Sequence, residues 1–188
     1  MSRKTFFLLG LFTLLGFTSL GGLIIEQFQD RRFFNIFSGN YSIFMQIMIG
    51  LAYGYLAAWL AWQLIKTPIL KSTLTFFSNL VKRLNLRFID IVFISFCAGA
   101  GEEILFRGAI QPYLGIWLTA ILFVALHGYM NPFNWRISIY GILMCLIIAG
   151  IGFMNDYVGL TSAIAAHFMI DVYLFMALTN VPVEDTEH

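Results

Sequence analysis

The stretch Gly-Glu-Glu-Ile-Leu-Phe-Arg-Gly, residues 101–108, decides how the rest of this chain is read. It sets Glu102, Glu103 and Arg107 inside an apolar run that extends from about 88 to 110. On a soluble surface three such charges are ordinary. Within a membrane span each costs roughly 2.5–3.5 kcal/mol on insertion scales, so there they mark a functional site. Composition decides which case applies. Of 188 residues, 60% are hydrophobic and only 11% are charged, and the mean hydropathy is +0.82. A soluble domain carries about 25% charge, so this chain is built to face lipid. Its net charge of +1 gives no sign of nucleic-acid binding. Cys97 and Cys145 lie in apolar runs and read as packing thiols, with no disulfide framework or zinc-type pairing.

A hydrocarbon core of about 30 Å needs roughly 20 apolar residues per helix. Outward from the charged stretch, six segments qualify, at about 6–25, 41–65, 88–110, 113–129, 137–154 and 158–178. The expected fold is an all-α polytopic membrane helical bundle of about six transmembrane helices, forming a single domain over 1–188. The first segment is too long for a cleavable signal and lacks an Ala-x-Ala site, so it reads as an uncleaved span. The third ends before Pro112, and Asn131-Pro132 closes the fourth. Residues 66–87 interleave Lys66, Lys71, Lys82, Arg83 and Arg87 with leucines and phenylalanines, which predicts an amphipathic helix on an anionic membrane face.

With six spans, one side of the membrane collects Arg3, Lys4, the five basic residues of 66–87 and Arg136, and the other only Arg31 and Arg32. The positive-inside rule then puts both termini in the cytoplasm. The acidic tail, with Glu184, Asp185 and Glu187, hardly alters that count.

Two further spans carry ionisable residues. Glu103 and Arg107 are i and i+4 in the acid-before-base order that suits a helical ion pair. Glu102 is turned about 100° away from Glu103 and has no basic partner in its own helix. It reads as the free carboxylate, and Glu103 with Arg107 as its structural support. On the fourth span His127 follows Phe123 at i+4, and on the sixth His167 precedes Asp171 at i+4. His188, the last residue, reads as solvated. At a rise of 1.5 Å per residue, Glu102, His167 and His127 lie ~12, ~14 and ~20 Å below one membrane face. Their depths therefore allow one shared cavity.

A carboxylate, two imidazoles and an arginine-supported second carboxylate suit water activation. A desolvated carboxylate is a stronger base near neutral pH. The imidazoles either ligate a divalent metal such as zinc together with the glutamate, or act without metal as oxyanion donors. Peptide-bond hydrolysis is the natural reaction class. Cysteine chemistry is disfavoured, because neither Cys97 nor Cys145 has a histidine nearby in its own helix. A proton-coupled transporter also places Glu, His and Asp at mid-membrane, so residue types alone leave both readings open.

Three ordered motifs, Glu-Glu-x-x-x-Arg (102–107), Phe-x-x-x-His (123–127) and His-x-x-x-Asp (167–171), resemble the CPBP family of intramembrane proteases. That family includes the type II CAAX prenyl endopeptidases and bacterial proteins linked to bacteriocin immunity. The resemblance covers about 88–178. It implies an intramembrane endopeptidase acting on a membrane-associated or lipidated peptide, in a bacterial cell membrane. It implies that Glu102 activates water, that His127 positions it, and that His167 and Asp171 stabilise the oxyanion or the water. Glu103 and Arg107 buttress the site. The family accepts Asn or Asp at the last motif position, and Asp171 is the poorer oxyanion donor unless protonated. Some members act as non-catalytic membrane regulators or immunity-type scaffolds, which is the alternative to catalysis.

Four smaller features complete the reading. The small residues 97–101 and the glycines Gly141, Gly150 and Gly152 suit close helix packing. Asp90 reads as an interface residue reaching the headgroups, and Asn155-Asp156 as a polar turn. The aromatic residues, 17% of the chain, lie mostly near span ends as interfacial anchors do.

Overall fold

The computed structural model describes residues 2–182. His188 and the acidic tail residues Glu184, Asp185 and Glu187 lie outside the described residues. Among the described residues all regular structure is helical. Helix α1 spans Arg3–Phe28, α2 Ile43–Ile65, α3 Lys71–Lys82, α4 Phe88–Leu126, α5 Trp135–Tyr157 and α6 Leu160–Thr179. All but α3 are long and apolar enough to cross a membrane. Their outward faces carry Phe12, Leu23, Leu56, Leu118 and Ile142, each about 60% exposed, while Glu103 and Arg107 are fully buried. Apolar outside and charged within is the distribution of an integral membrane protein.

Local signals set the helix starts. Ser42 accepts from the Met45 N–H at the head of α2, and Asn134 accepts from the Ile137 N–H at the head of α5. At the head of α4 the Asp90 carboxylate takes the Arg87 N–H at 2.8 Å. The same carboxylate pairs with Arg3 at 2.6 Å and is 2% exposed. Asp90 therefore does not reach out to headgroups. It ties the start of α1 to the start of α4.

The third and fourth expected segments join without a loop: Phe88–Leu126 is a run of helix with a break inside it, so five such elements stand where six segments were expected. Pro112 does not end it. A proline removes one N–H and leaves carbonyls one turn earlier without a donor. Here the segment Ile104–Ile110 is a π-helix, and the Gln29 side chain donates to the Gly108 and Ala109 carbonyls at 3.3 and 3.0 Å. The chain passes Pro112 and breaks at Gly115, whose φ of +70° and ψ of 173° lie outside the helical region. Only glycine adopts that conformation without strain. Beyond it the second arm, 116–126, folds back on the first, so that Phe123 meets Phe106 with ring centroids 4.9 Å apart. That arm of eleven residues is ~16 Å long, about half the thickness of a ~30 Å hydrocarbon core.

Helix α6 occupies the centre. A Cβ on Gly50 or Gly54 of α2 would collide with the carbonyl oxygen of Ser162 or Ala166, and one on Gly99 of α4 would press on the Phe168 backbone. Small residues thus let α6 lie between α2 and α4 at near-backbone distance. Gly101 lies equally close to Thr13, in the π-helical turn Thr13–Phe17 of α1. The run 97–101 thus serves packing immediately before the acidic pair.

The predicted amphipathic stretch holds a short turn, Pro68–Leu70, and α3. Its Ser78 hydroxyl donates to the Leu178 carbonyl at 3.1 Å, while Phe76 and Leu80 are exposed. We expect Gly54→Val to destabilise the fold by about 1–3 kcal/mol through overpacking against α6. Gly16→Ala should be neutral, since a Cβ there meets nothing nearer than Phe12 at 3.5 Å. Thermal unfolding in detergent separates the two.

Candidate functional site

Three elements supply the site. The first arm of α4 carries Glu102, Glu103 and, within the π-helical segment, Arg107. The second arm ends at His127, which forms its C-terminal cap. Helix α6 carries His167 and Asp171, one turn apart. The fold-back at Gly115 brings residue 127 beside residue 102, and the close packing of α6 on Gly99 brings residue 167 to both.

All six residues singled out from the sequence meet here. His127 Nε2 lies 3.5 Å from Glu102 Oε2, and His167 Nε2 lies 4.0 Å from the same oxygen. Asp171 Oδ2 is 3.7 Å from His167 Nε2. These separations exceed good hydrogen bonds. Glu102 Oε2 is buried and has no hydrogen-bond partner among the described residues. One carboxylate oxygen therefore faces two imidazole edges without being bonded to either.

Behind this face the contacts are tighter. His167 Nδ1 lies 2.7 Å from Glu103 Oε1, and Glu103 Oε2 lies 3.1 Å from Arg107 Nε. The expected ion pair is formed, with side chains 0% and 1% exposed. What sequence spacing did not show is its continuation into α6. A carboxylate beside Nδ1 makes that nitrogen the donor, which turns Nε2 toward Glu102 and Asp171. Arg107 also donates to the Ile148 carbonyl of α5 at 3.4 Å. The buttress is thus a chain across three helices, Ile148 to Arg107 to Glu103 to His167.

Phe123 is the apolar counterpart. Its ring stacks on His127 at 4.3 Å and meets His167 edge-on at 5.7 Å, and the Arg107 guanidinium lies 5.4 Å from its centroid. The Phe123 carbonyl accepts from His127 Nδ1 at 2.8 Å. That bond gives His127 the same orientation as His167, with Nε2 toward Glu102. The spacing of residues 123 and 127 fixed this contact, since an i+4 neighbour is in reach of both ring and carbonyl.

The side chains are graded in exposure. His127 is 36% exposed, Asp171 24%, Glu102 13% and His167 7%. Access to Glu102 is therefore past His127 and Asp171. An apolar cavity of about 240 Å³ begins at Asp171 and is lined by Trp62, Phe77, Tyr129, Tyr140, Leu174 and Phe175 among others.

Two imidazoles and two carboxylates are the donor types of zinc hydrolases. Among the described residues, however, no three His, Cys, Asp or Glu are placed to hold a metal ion. The side chains as placed do not fit the expected ion. Cys97 and Cys145 are free thiols and lie outside this constellation. The Asn155-Asp156 pair is more than a polar turn. Asp156 Oδ1 accepts from the Gln111 amide at 2.8 Å and so fastens α5 to α4 near the break.

Comparison with known proteins agrees with the motifs. Residues 84–173 match the family described as type II CAAX prenyl endopeptidase, Rce1-like. That stretch contains every site residue. The chain is also similar to an uncharacterized protein of Bacillus subtilis (strain 168), YpbD, with 34% identity over 83 residues. The matched region is 43% of this chain and 41% of that protein, so the chain spans about two fifths of the length of this curated relative. No solved structure matches.

Removing Glu103 should leave the Arg107 charge buried without its partner. We expect Glu103→Gln to cost about 3–5 kcal/mol of stability. Glu102→Gln should cost less than about 1 kcal/mol, because Glu102 Oε2 makes no hydrogen bond to lose. Unfolding midpoints of the two variants in detergent measure the difference.

Proposed function

We propose that the chain, whose residues 84–173 match the Rce1-like family of type II CAAX prenyl endopeptidases, is an intramembrane endopeptidase. Its substrate is a membrane-associated or lipidated peptide. The observation that carries the reading is the single Glu102 oxygen, buried, unbonded and facing two imidazole Nε2 atoms at 3.5 and 4.0 Å. A water molecule between these groups donates a proton to Glu102 and is held by His127. Glu102 takes that proton as the water oxygen attacks the scissile carbonyl, and returns it to the leaving amine as the C–N bond breaks.

His167 has its Nδ1 committed to Glu103, so its Nε2–H donates to the oxyanion when the ring is charged. Asp171 faces that Nε2 at 3.7 Å. This differs from direct oxyanion donation by the last motif residue, for which an unprotonated aspartate is unsuited. The apolar cavity beginning at Asp171 suits the apolar side chains or lipid group of the substrate.

We place the basic end of the bundle in the cytoplasm by its lysines and arginines, with the site opening toward that side of a bacterial cell membrane. Tyr129 and Asp171, which border the opening, are continuous with the cavity against α3 residues such as Phe77.

The test is cleavage of membrane-anchored peptides by the purified chain in liposomes, with products read by mass spectrometry. Glu102→Gln should lower the rate by about 10²-fold or more while the protein stays folded. Full cellular effect retained in that variant would instead assign a non-catalytic regulator. Proton-coupled uptake into liposomes without cleavage would assign a transporter.

A second measurement addresses the metal. Activity should survive treatment with phenanthroline and dialysis. Loss of activity that is restored by zinc would mean that the donors rearrange around an ion.

A further inference from the structure

At the end of the bundle opposite α3, a cavity of about 700 Å³ opens between α4, α5 and the segment that follows α1. Arg107, Gln111, Trp117, Phe153, Asp156 and Arg31 are among its lining residues. Of the six site residues, Arg107 lines it and Glu102, Glu103, His127, His167 and Asp171 do not.

Its polar groups are unevenly satisfied. Asp156 Oδ1 already accepts from Gln111 Nε2 at 2.8 Å and from Asn155 Nδ2 at 2.9 Å. Arg107, 1% exposed, is ion-paired with Glu103 and donates through Nη2 to Ile148, while its Nε and Nη1 have no hydrogen-bond partner among the described residues. Arg31 is exposed on the segment after α1, and no ion-pair partner is found for it among the described residues. Two arginines therefore line the same cavity as one carboxylate that is largely occupied. A guanidinium with free donors in a partly apolar setting calls for a planar or tetrahedral oxyanion. The remaining walls, Trp117, Phe153, Ile116 and Leu160, are apolar, as suits a group attached to a glycerol backbone.

We propose that this cavity binds a phosphate group, with Arg31 at its mouth and Arg107 at its floor. The phosphate comes from an anionic phospholipid headgroup or from free phosphate. Bound there, it supplies an acceptor for Arg107 Nη1. It also links occupancy of this face to the Arg107–Glu103–His167 chain without entering the hydrolytic site.

The experiment uses the full chain in phosphatidylcholine nanodiscs, titrated with phosphatidylglycerol, and counts retained lipid by native mass spectrometry. Saturable binding is expected. Arg31→Glu should weaken it by about ten-fold or more. Arg32→Glu, the same charge change at a neighbour that does not line the cavity, should leave it nearly unchanged. Inorganic phosphate is the competing probe. Displacement of the lipid by it assigns the phosphate group alone as the ligand, and failure to displace assigns the lipid. Absence of saturable binding by both probes, or equal losses in the two arginine variants, overturns the proposal.

Discussion

The arrangement depends on one buried interaction, the carboxylate of Glu103 held between Arg107 and His167. Two charged groups taken out of water recover their desolvation cost only when geometry and hydrogen bonding are good. Here the acid and base are one turn apart in the same helix at 3.1 Å, so little chain entropy is lost in bringing them together. The second oxygen of Glu103 reaches α6 at 2.7 Å. A helical ion pair thereby becomes a cross-link between helices. It fixes the tautomer and rotation of His167, and through that ring the direction in which Nε2 points. Rotation of α6 by one residue would carry His167 about 100° away and leave Glu103 and Arg107 facing lipid or each other alone.

Such a cross-link requires helices that approach closely, and the sequence supplies small residues where they do. Gly99 admits the α6 backbone three residues before Glu102, and Gly101 admits α1 immediately before it. On the other side of α6, Gly50 and Gly54 admit α2. The acidic pair therefore follows a helix segment that is packed on two sides. Preorganisation of Glu102 is a consequence of this packing, because its own Oε2 has no hydrogen bond to hold it.

The motifs were legible because their spacings are helical. An i+4 spacing fixes shared faces for Glu103 with Arg107, Phe123 with His127 and His167 with Asp171, whatever the tertiary fold. The division between a free Glu102 and a paired Glu103 followed from the same periodicity. Composition and the length of apolar runs were enough for a polytopic helical bundle. Contacts between helices were not legible. Nothing in local spacing told that Glu103 bonds His167, that Asp90 pairs with Arg3, or that Gln111 holds Asp156. The helix break was misplaced for a physical reason. Proline normally signals a boundary, but here a side chain 79 residues away donates to the freed Gly108 carbonyl. The strain is released three residues later, at a glycine that tolerates positive φ. Local rules see the lost donor and miss the remote one that replaces it.

That displaced break has a chemical consequence. From the turn at Gly115, a rise of 1.5 Å per residue carries His127 ~18 Å back along the first arm, to about the level of Glu102 on the other side of the turn. The fold-back thus gives an arm that ends beside Glu102, with His127 as its C-terminal cap. The His127 side chain is 36% exposed. The same break therefore brings His127 to Glu102 and leaves the imidazole exposed beside the buried carboxylate. The proposed hydrolysis needs that carboxylate and imidazole together, and in this chain one glycine conformation underlies the contact.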